Sequence, residues 1–124
     1  MMVKPFKVII AGGRDFDNYD LLKTSCDNIL KWKKEVQIVS GRAVGADALG
    51  ERYAIEKGFV IKIFPADWFS HGRAAGPMRN QEMADYADAL IAFWDGKSTG
   101  TADMIRRAEN NKLNIRIIRY EKVL

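Results

Sequence analysis

The chain has 124 residues, 48% of them hydrophobic, and its 20 basic against 16 acidic side chains give a formal charge of +4. That is the length of one domain, residues 1–124, with enough apolar material for a single core, and no segment approaches the ~20 apolar residues of a bilayer span. Cys26 and His71 are the lone cysteine and histidine, which excludes an intramolecular disulfide and an ordinary Cys/His zinc cluster and argues against metal-dependent hydrolysis and Ser-His-Asp chemistry.

The opening stretch "MMVKPFKVIIAGGRDF" has an apolar run too short for a secretion signal, so a cytoplasmic protein with no membrane partner is expected. "FKVIIAG" (6–12) is rich in β-branched residues and ends in glycine, the pattern of a buried strand. Leu22, Cys26, Ile29 and Leu30 then follow helical spacing after an Asp/Asn-rich start that can cap a helix. "KWKK" (31–34) and the later pair Arg106 and Arg107 read as solvated helix faces; the basic balance favours an anionic ligand without choosing between nucleotide and nucleic acid. "EVQIVSG" (35–41) is a second strand, "GADALGERYAIEKG" (45–58) a helix closed by Gly58, and "FVIKIFP" (59–65) a third strand stopped by Pro65.

The connection "ADWFSHGRAAGPMRN" (66–80) is long and carries aromatics, glycines and two arginines, which suggests a functional loop or lid. A helix begins near Pro77, with Asn80, Met83, Ala84 and Ala87 on one face. "DALIAFW" (88–94) is strand four, residues 101–112 a helix, and "NIRIIRY" (114–120) strand five. Strict alternation implies right-handed crossovers and an α/β, three-layer Rossmann-like domain of about five parallel strands flanked by helices, in the economical order 3-2-1-4-5.

In such a sheet the ligand crevice lies at the carboxyl ends of the strands where the order reverses. "GGRDFD" (12–17), "SGRAVGAD" (40–47) and "DGKSTGT" (95–101) follow strands one, two and four and converge there. Any one glycine simply permits a tight turn; three such loops, with helix N-termini near Gly45 and Thr101, suit an anion. The candidate ligand-binding residues are Gly12, Gly13, Arg14, Ser40, Gly41, Gly45, Asp47, Arg79, Asn80, Asp95, Gly96, Ser98, Gly100 and Thr101. "GKST" (96–99) is not a Walker motif, because Ile91 stands where its first glycine belongs, and "GGRDFD" lacks the spacing of a dinucleotide fingerprint.

Taken together, "VIIAGGRDF", "VSGRAVGAD" and "GPMRNQEMADYADALIAFWDGKSTGT" resemble the YspA-like branch of the SLOG superfamily, which also contains the DprA proteins and the LOG phosphoribohydrolases. The resemblance implies a Rossmann-like fold, a nucleotide-derived ligand at the glycine loops and, after the SLOG relatives, a homodimer. Arg79, Met83 and Asp88 match the arginine helix start and following strand of the LOG enzymes, with Asn80 replacing lysine, and Gly100 and Thr101 match their G-T pair. Gly96, Lys97 and Ser98 replace their P-G-G, and Met104 occupies the position of their catalytic glutamate.

Cleavage of an N-glycosidic bond needs a carboxylate to stabilise an oxocarbenium-like state and activate water, which a thioether does not supply. An enzyme would need a relocated acid. Arg79, Glu82 and Asp103 are the weak catalytic candidates, with Asp15, Asp47 and Asp95 also near the crevice. Each acid has a plainer role as turn residue, helix first-turn charge or ion-pair partner. Arg79 and Arg14 are the preferred phosphate clamps, Arg42 and Arg73 are exposed, and Trp68 or Phe69 either stacks on a base or packs. The expected function is binding of a nucleoside monophosphate or ADP-ribose-like molecule without cofactor or metal. The alternatives are a nucleoside 5'-monophosphate N-glycosidase with a relocated acid, and DprA-like single-stranded nucleic-acid binding.

Overall fold

The computed structural model describes residues 4–121. Its centre is a five-stranded, all-parallel sheet in the order β3-β2-β1-β4-β5. The strands are β1 (Phe6–Gly12), β2 (Val36–Ser40), β3 (Val60–Ile63), β4 (Ala89–Trp94) and β5 (Asn114–Arg119). The helices between them are α1 (Tyr19–Leu30), α2 (Ala46–Lys57), the single turn α3 (Trp68–His71), α4 (Ala75–Tyr86) and α5 (Thr99–Asn110). Both the strand order and the Rossmann-like class agree with the sequence reading.

Why β4 is apolar throughout, and β1 from Val8 onward, follows from their two covered faces. Side chains alternate across a strand, so Val8 and Ile10 of β1 with Ile91 and Phe93 of β4 join Leu22, Cys26 and Tyr53 from α1 and α2 in one core. Ile9 and Ala11, with Leu90 and Ala92, join Met83, Ala84, Met104 and Ile105 from α4 and α5 in the other. Each fully buried large aliphatic side chain contributes about 1.5–3 kcal/mol, so these two strands stabilise both layers at once. The edge strand β3 alternates between exposed and half-buried residues, and β5 keeps only Ile115 and Ile118 half-buried.

Local chemistry sets the boundaries. The Asn18 side chain accepts from the Leu21 N–H at 3.0 Å and starts α1. Gly58, at φ 74°, closes α2 in the left-handed region, as its place after the helix predicts. No helix among the described residues is long and apolar enough to cross a membrane.

Two sequence expectations are corrected. The connection 66–80 is not an open loop: Asp67 caps α3 by accepting from the Ser70 N–H, and a 3₁₀ turn (Gly72–Ala74) leads straight into α4. α4 starts two residues before Pro77, which costs nothing because first-turn N–H groups have no intrahelical partner. "KWKK" is not a helix face either. α1 ends at Leu30, its Lys31 cap still helical, and Lys31–Lys34 form the turn into β2. Arg106 and Arg107, by contrast, do lie on α5.

Gly50 marks the tightest helix-to-sheet contact. A Cβ there would lie 2.8 Å from Cγ2 and 2.9 Å from Cβ of Ile10, with no flexible end to move aside. Gly50→Ala is expected to destabilise by about 1–3 kcal/mol, lowering Tm by several degrees in calorimetry. Gly100→Ala, where nothing lies within 4 Å, should leave Tm unchanged or raised. Equal effects of the two substitutions would refute the close-packing assignment.

Candidate functional site

The strand order reverses between β1 and β4, so the chain leaving β1 turns toward α1 while that leaving β4 turns toward α5. A cavity of about 940 Å³ opens between them. Gly12, Gly13, Arg14 and Asp15 form one wall, Arg79 and Asn80 of α4 a second, and Asp95 with Lys97–Thr101 a third. Met83 and Met104, both almost fully buried, contribute apolar lining, and Trp68 of α3 is also in the wall.

The wall before α5 is built by Asp95. Its Oδ1 accepts from the N–H groups of Lys97 and Ser98, each at 2.8 Å, and these bonds, that of Ser98 first, hold its carboxyl below the usual range. Ser98 thereby reaches the N-cap, where its Oγ meets the Thr101 N–H at 3.4 Å and the Thr101 hydroxyl at 3.1 Å. The Trp94 indole donates to the Ser98 carbonyl at 3.1 Å and pins the turn. Asp95 thus has the turn role that its sequence position suggested.

Several glycines are required by neighbouring protein atoms. A Cβ on Gly12 would press on the Phe93 carbonyl and lie 2.8 Å from Ala46 Cβ. Gly45, at φ 79°, lies against the backbone of Gly13 and Arg14, and the Gly13 carbonyl accepts from the Ala46 N–H at 3.2 Å. Gly41 lies against the Arg79 guanidinium and Gly96 against that of Arg119. Gly100 lines the cavity and faces open space, which leaves its backbone approachable.

Of the sequence candidates, Gly12, Gly13, Arg14, Asp47, Arg79, Asn80, Asp95, Ser98, Gly100, Thr101 and Asp103 line this cavity. Ser40, Gly41, Gly45, Gly96 and Glu82 are not among the lining residues. Ser40 is buried and donates to Glu51 at 2.7 Å, and Glu82 is exposed. Lys97 and Met83 line the cavity without having been singled out as ligand contacts; a basic residue inside the "DGKSTGT" loop was the available signal for Lys97.

The charged groups divide sharply. Asp103 is engaged by Asn80 Nδ2 at 2.9 Å, Arg106 at 2.6 Å and Arg107 at 2.9 Å. Burial pushes its carboxyl up, but these hydrogen bonds and cations outweigh it and hold the group below the usual carboxylate range. Arg79 donates from Nε to Asn80 Oδ1 at 3.1 Å and from Nη1 to the Gly41 carbonyl. Burial lowers its pKa, the Asp47 charge opposes this, and the Arg14 charge lowers it further. Of Asp47, Asp95 and Asp103, Asp47 is the one shifted upward. It is 6% exposed, and burial pushes its carboxyl up to about 6, against the Ala43 N–H bond at 3.2 Å and the Arg79 charge. No group of three or more His, Cys, Asp or Glu side chains among the described residues could hold a metal ion.

A five-stranded parallel sheet in the order 3-2-1-4-5 with helices on both faces places the chain among the Rossmann-like α/β proteins. The chain belongs to the YspA, cpYpsA-related SLOG family, whose model matches residues 6–71. It is 33% identical over 121 residues to the Gene 61 protein of Mycobacterium phage D29, covering 92% of this chain and 95% of that one. It is also similar in fold to DNA processing protein A (DprA) from Streptococcus pneumoniae, with a TM-score of 0.72 at 17% identity over 94% of this chain. The chain spans about half the length of that protein, 51%. Membership implies binding of a nucleotide-related ligand in general.

The buried acid makes a pH prediction. With its folded pKa raised from 3.8 to about 6, native Asp47 keeps a proton that the unfolded chain has released. The resulting stabilisation is fully present below about pH 4 and lost as pH rises through about 6, a swing of about 3 kcal/mol. Subtracting the denaturation curves of Asp47→Asn from those of the wild type should isolate this swing. A difference that is flat between pH 4 and 7 would show that Asp47 does not carry it.

Proposed function

We propose that the carboxyl-edge cavity binds the phosphate of a nucleotide-derived small molecule, a nucleoside monophosphate or an ADP-ribose-like compound. One observation carries this reading: Arg14, Arg79 and the N-terminal turn of α5 line the same cavity. A helix N-terminus offers unpaired N–H groups and a favourable dipole to an anion, and a guanidinium matches a phosphate with parallel hydrogen bonds. Arg79 has Nε and Nη1 engaged by the protein, while Nη2 has no acceptor among the described residues. The cavity's volume of about 940 Å³ suits a whole nucleotide rather than a bare phosphate. Trp68 and the methionine-lined surface supply apolar contact for a base or sugar.

Binding is favoured over cleavage by the state of the acids. Met104 replaces the glutamate of the LOG enzymes, Asp103 is held by two arginines, and Glu82 lies outside the lining. Asp47 supports a second reading, hydrolysis of a nucleoside 5'-monophosphate at its N-glycosidic bond. A buried carboxyl titrating at about 6 can take a proton from water as that water attacks the anomeric carbon and the carbon–nitrogen bond breaks, and can then return the proton to the departing base.

Thermal-shift measurements separate these readings. A ligand at about 100 times its Kd should stabilise the wild type by about 2.7 kcal/mol, several degrees in Tm, while the same nucleoside without phosphate should do far less. Arg79→Ala and Arg14→Ala should each weaken binding at least ten-fold. Absence of stabilisation by any nucleoside phosphate or ADP-ribose, or unchanged binding in both variants, would refute the proposal. Chromatography of the same mixtures tests the second reading: free base must be released, and Asp47→Asn must abolish the release.

A further inference from the structure

The amino ends of the strands carry a separate surface. A groove of about 670 Å³ runs there between the start of β1, the turn from α1 into β2 and the turn from α4 into β4. Lys4, Lys7, Lys33 and Lys34 line it against the acids Glu35 and Asp88, and Lys31 stands one residue from the lining Trp32. These five lysines and two acids leave +3, most of the chain's net +4, at one end of the sheet. None of the five forms a salt bridge with a described residue, and one Asp88 oxygen is taken by the Lys7 N–H at 3.0 Å.

Aromatic faces alternate with these cations. Lys33 Nζ lies 4.1 Å from the centre of the Phe6 ring and Lys7 Nζ 4.4 Å from that of Tyr86, while Lys62 Nζ reaches within 6.0 Å of Tyr86 from β3. Trp32 is 84% exposed, with Lys31 Nζ 5.6 Å from its ring. The core does not need it. An indole left in water among ammonium groups that form no salt bridge with a described residue offers a stacking face beside a row of cations.

We propose that this amino-edge groove binds single-stranded nucleic acid, with the lysines neutralising the phosphates and Trp32 stacking on a base. An acidic peptide would use the cations alone, whereas interleaved charge and exposed ring match the alternation of phosphate and base along a strand. The groove lies at the opposite ends of the strands from the arginine-lined cavity, so each surface can be altered without touching the other.

Fluorescence anisotropy of a labelled 12-nucleotide oligothymidine with the full chain tests this. If about four phosphates are neutralised, the logarithm of affinity should fall with that of salt at a slope of about −3, so that doubling the salt weakens binding roughly eight-fold. Lys33→Glu combined with Lys34→Glu should abolish binding, Trp32→Ala should weaken it about ten-fold or more, and oligonucleotide should quench Trp32 fluorescence. Arg79→Ala should leave it unchanged. All four positions are first checked by circular dichroism melts, since the three groove residues are exposed. Binding insensitive to salt, binding kept by the double lysine variant, or binding lost only in Arg79→Ala would overturn the proposal. Equal binding of polyglutamate would overturn its assignment to nucleic acid.

Discussion

The contact on which the site depends is the close approach of Gly12 to the Phe93 carbonyl and to Ala46. β1 and β4 pair in register up to Gly12 and Phe93, and the Gly13 N–H continues the ladder to the Phe93 carbonyl at 3.1 Å. Gly13 then accepts from the Ala46 N–H, which fixes the start of α2 against the end of β1. One backbone junction therefore locks two strands and a helix together at the point where the connections diverge. Without a Cβ at position 12 the three can meet; with one, either the sheet or α2 must move.

From that junction the charges are distributed by how much water each can keep. Asp95 and Asp103 are ionised because N–H groups or guanidinium groups replace the water they lose. Asp47 is buried between the 41–45 loop and Arg79, and its N–H bonds do not offset that burial. Arg79 is caught in the same trade, its guanidinium half withdrawn from solvent and facing both Asp47 and Arg14. The two arginines repel one another here, and a negative charge placed between them would lower that cost.

The strands were legible because each is a short apolar or β-branched run, the first three closed by Gly12, Gly41 and Pro65, and strict alternation with helices leaves few topologies. α3 was not, since the aromatics and glycines of the 66–80 connection read as a lid and only the Asp67 to Ser70 cap reveals a helical turn. "KWKK" misled for a similar reason: helical spacing does not announce that α1 stops at Leu30. Sequence could not separate Gly100, which lines the cavity and faces open space, from Gly41 and Gly96, which make room for Arg79 and Arg119. Nor could it distinguish Asp47 from Asp103. Both are acids near the starts of helices, Asp47 in the first turn of α2 and Asp103 in the second turn of α5, and only the burial of one and the arginine partners of the other set them apart.

The two ends of the sheet treat cations differently, and the difference bears on what each can hold. At the carboxyl edge Arg79 is fixed by hydrogen bonds to Asn80 and Gly41, so an anion there meets donors already in place and orders little on binding. At the amino edge the charges are lysines on flexible stems, resting on rings and without a carboxylate partner among the described residues. Such a surface fits no single geometry tightly but follows a repeating, flexible polyanion, because each ammonium can move with the phosphate it meets. Preorganised arginine suits a small ligand whose shape is fixed, and mobile lysine suits a chain. The same small α/β scaffold can carry both because parallel strands keep their two ends apart.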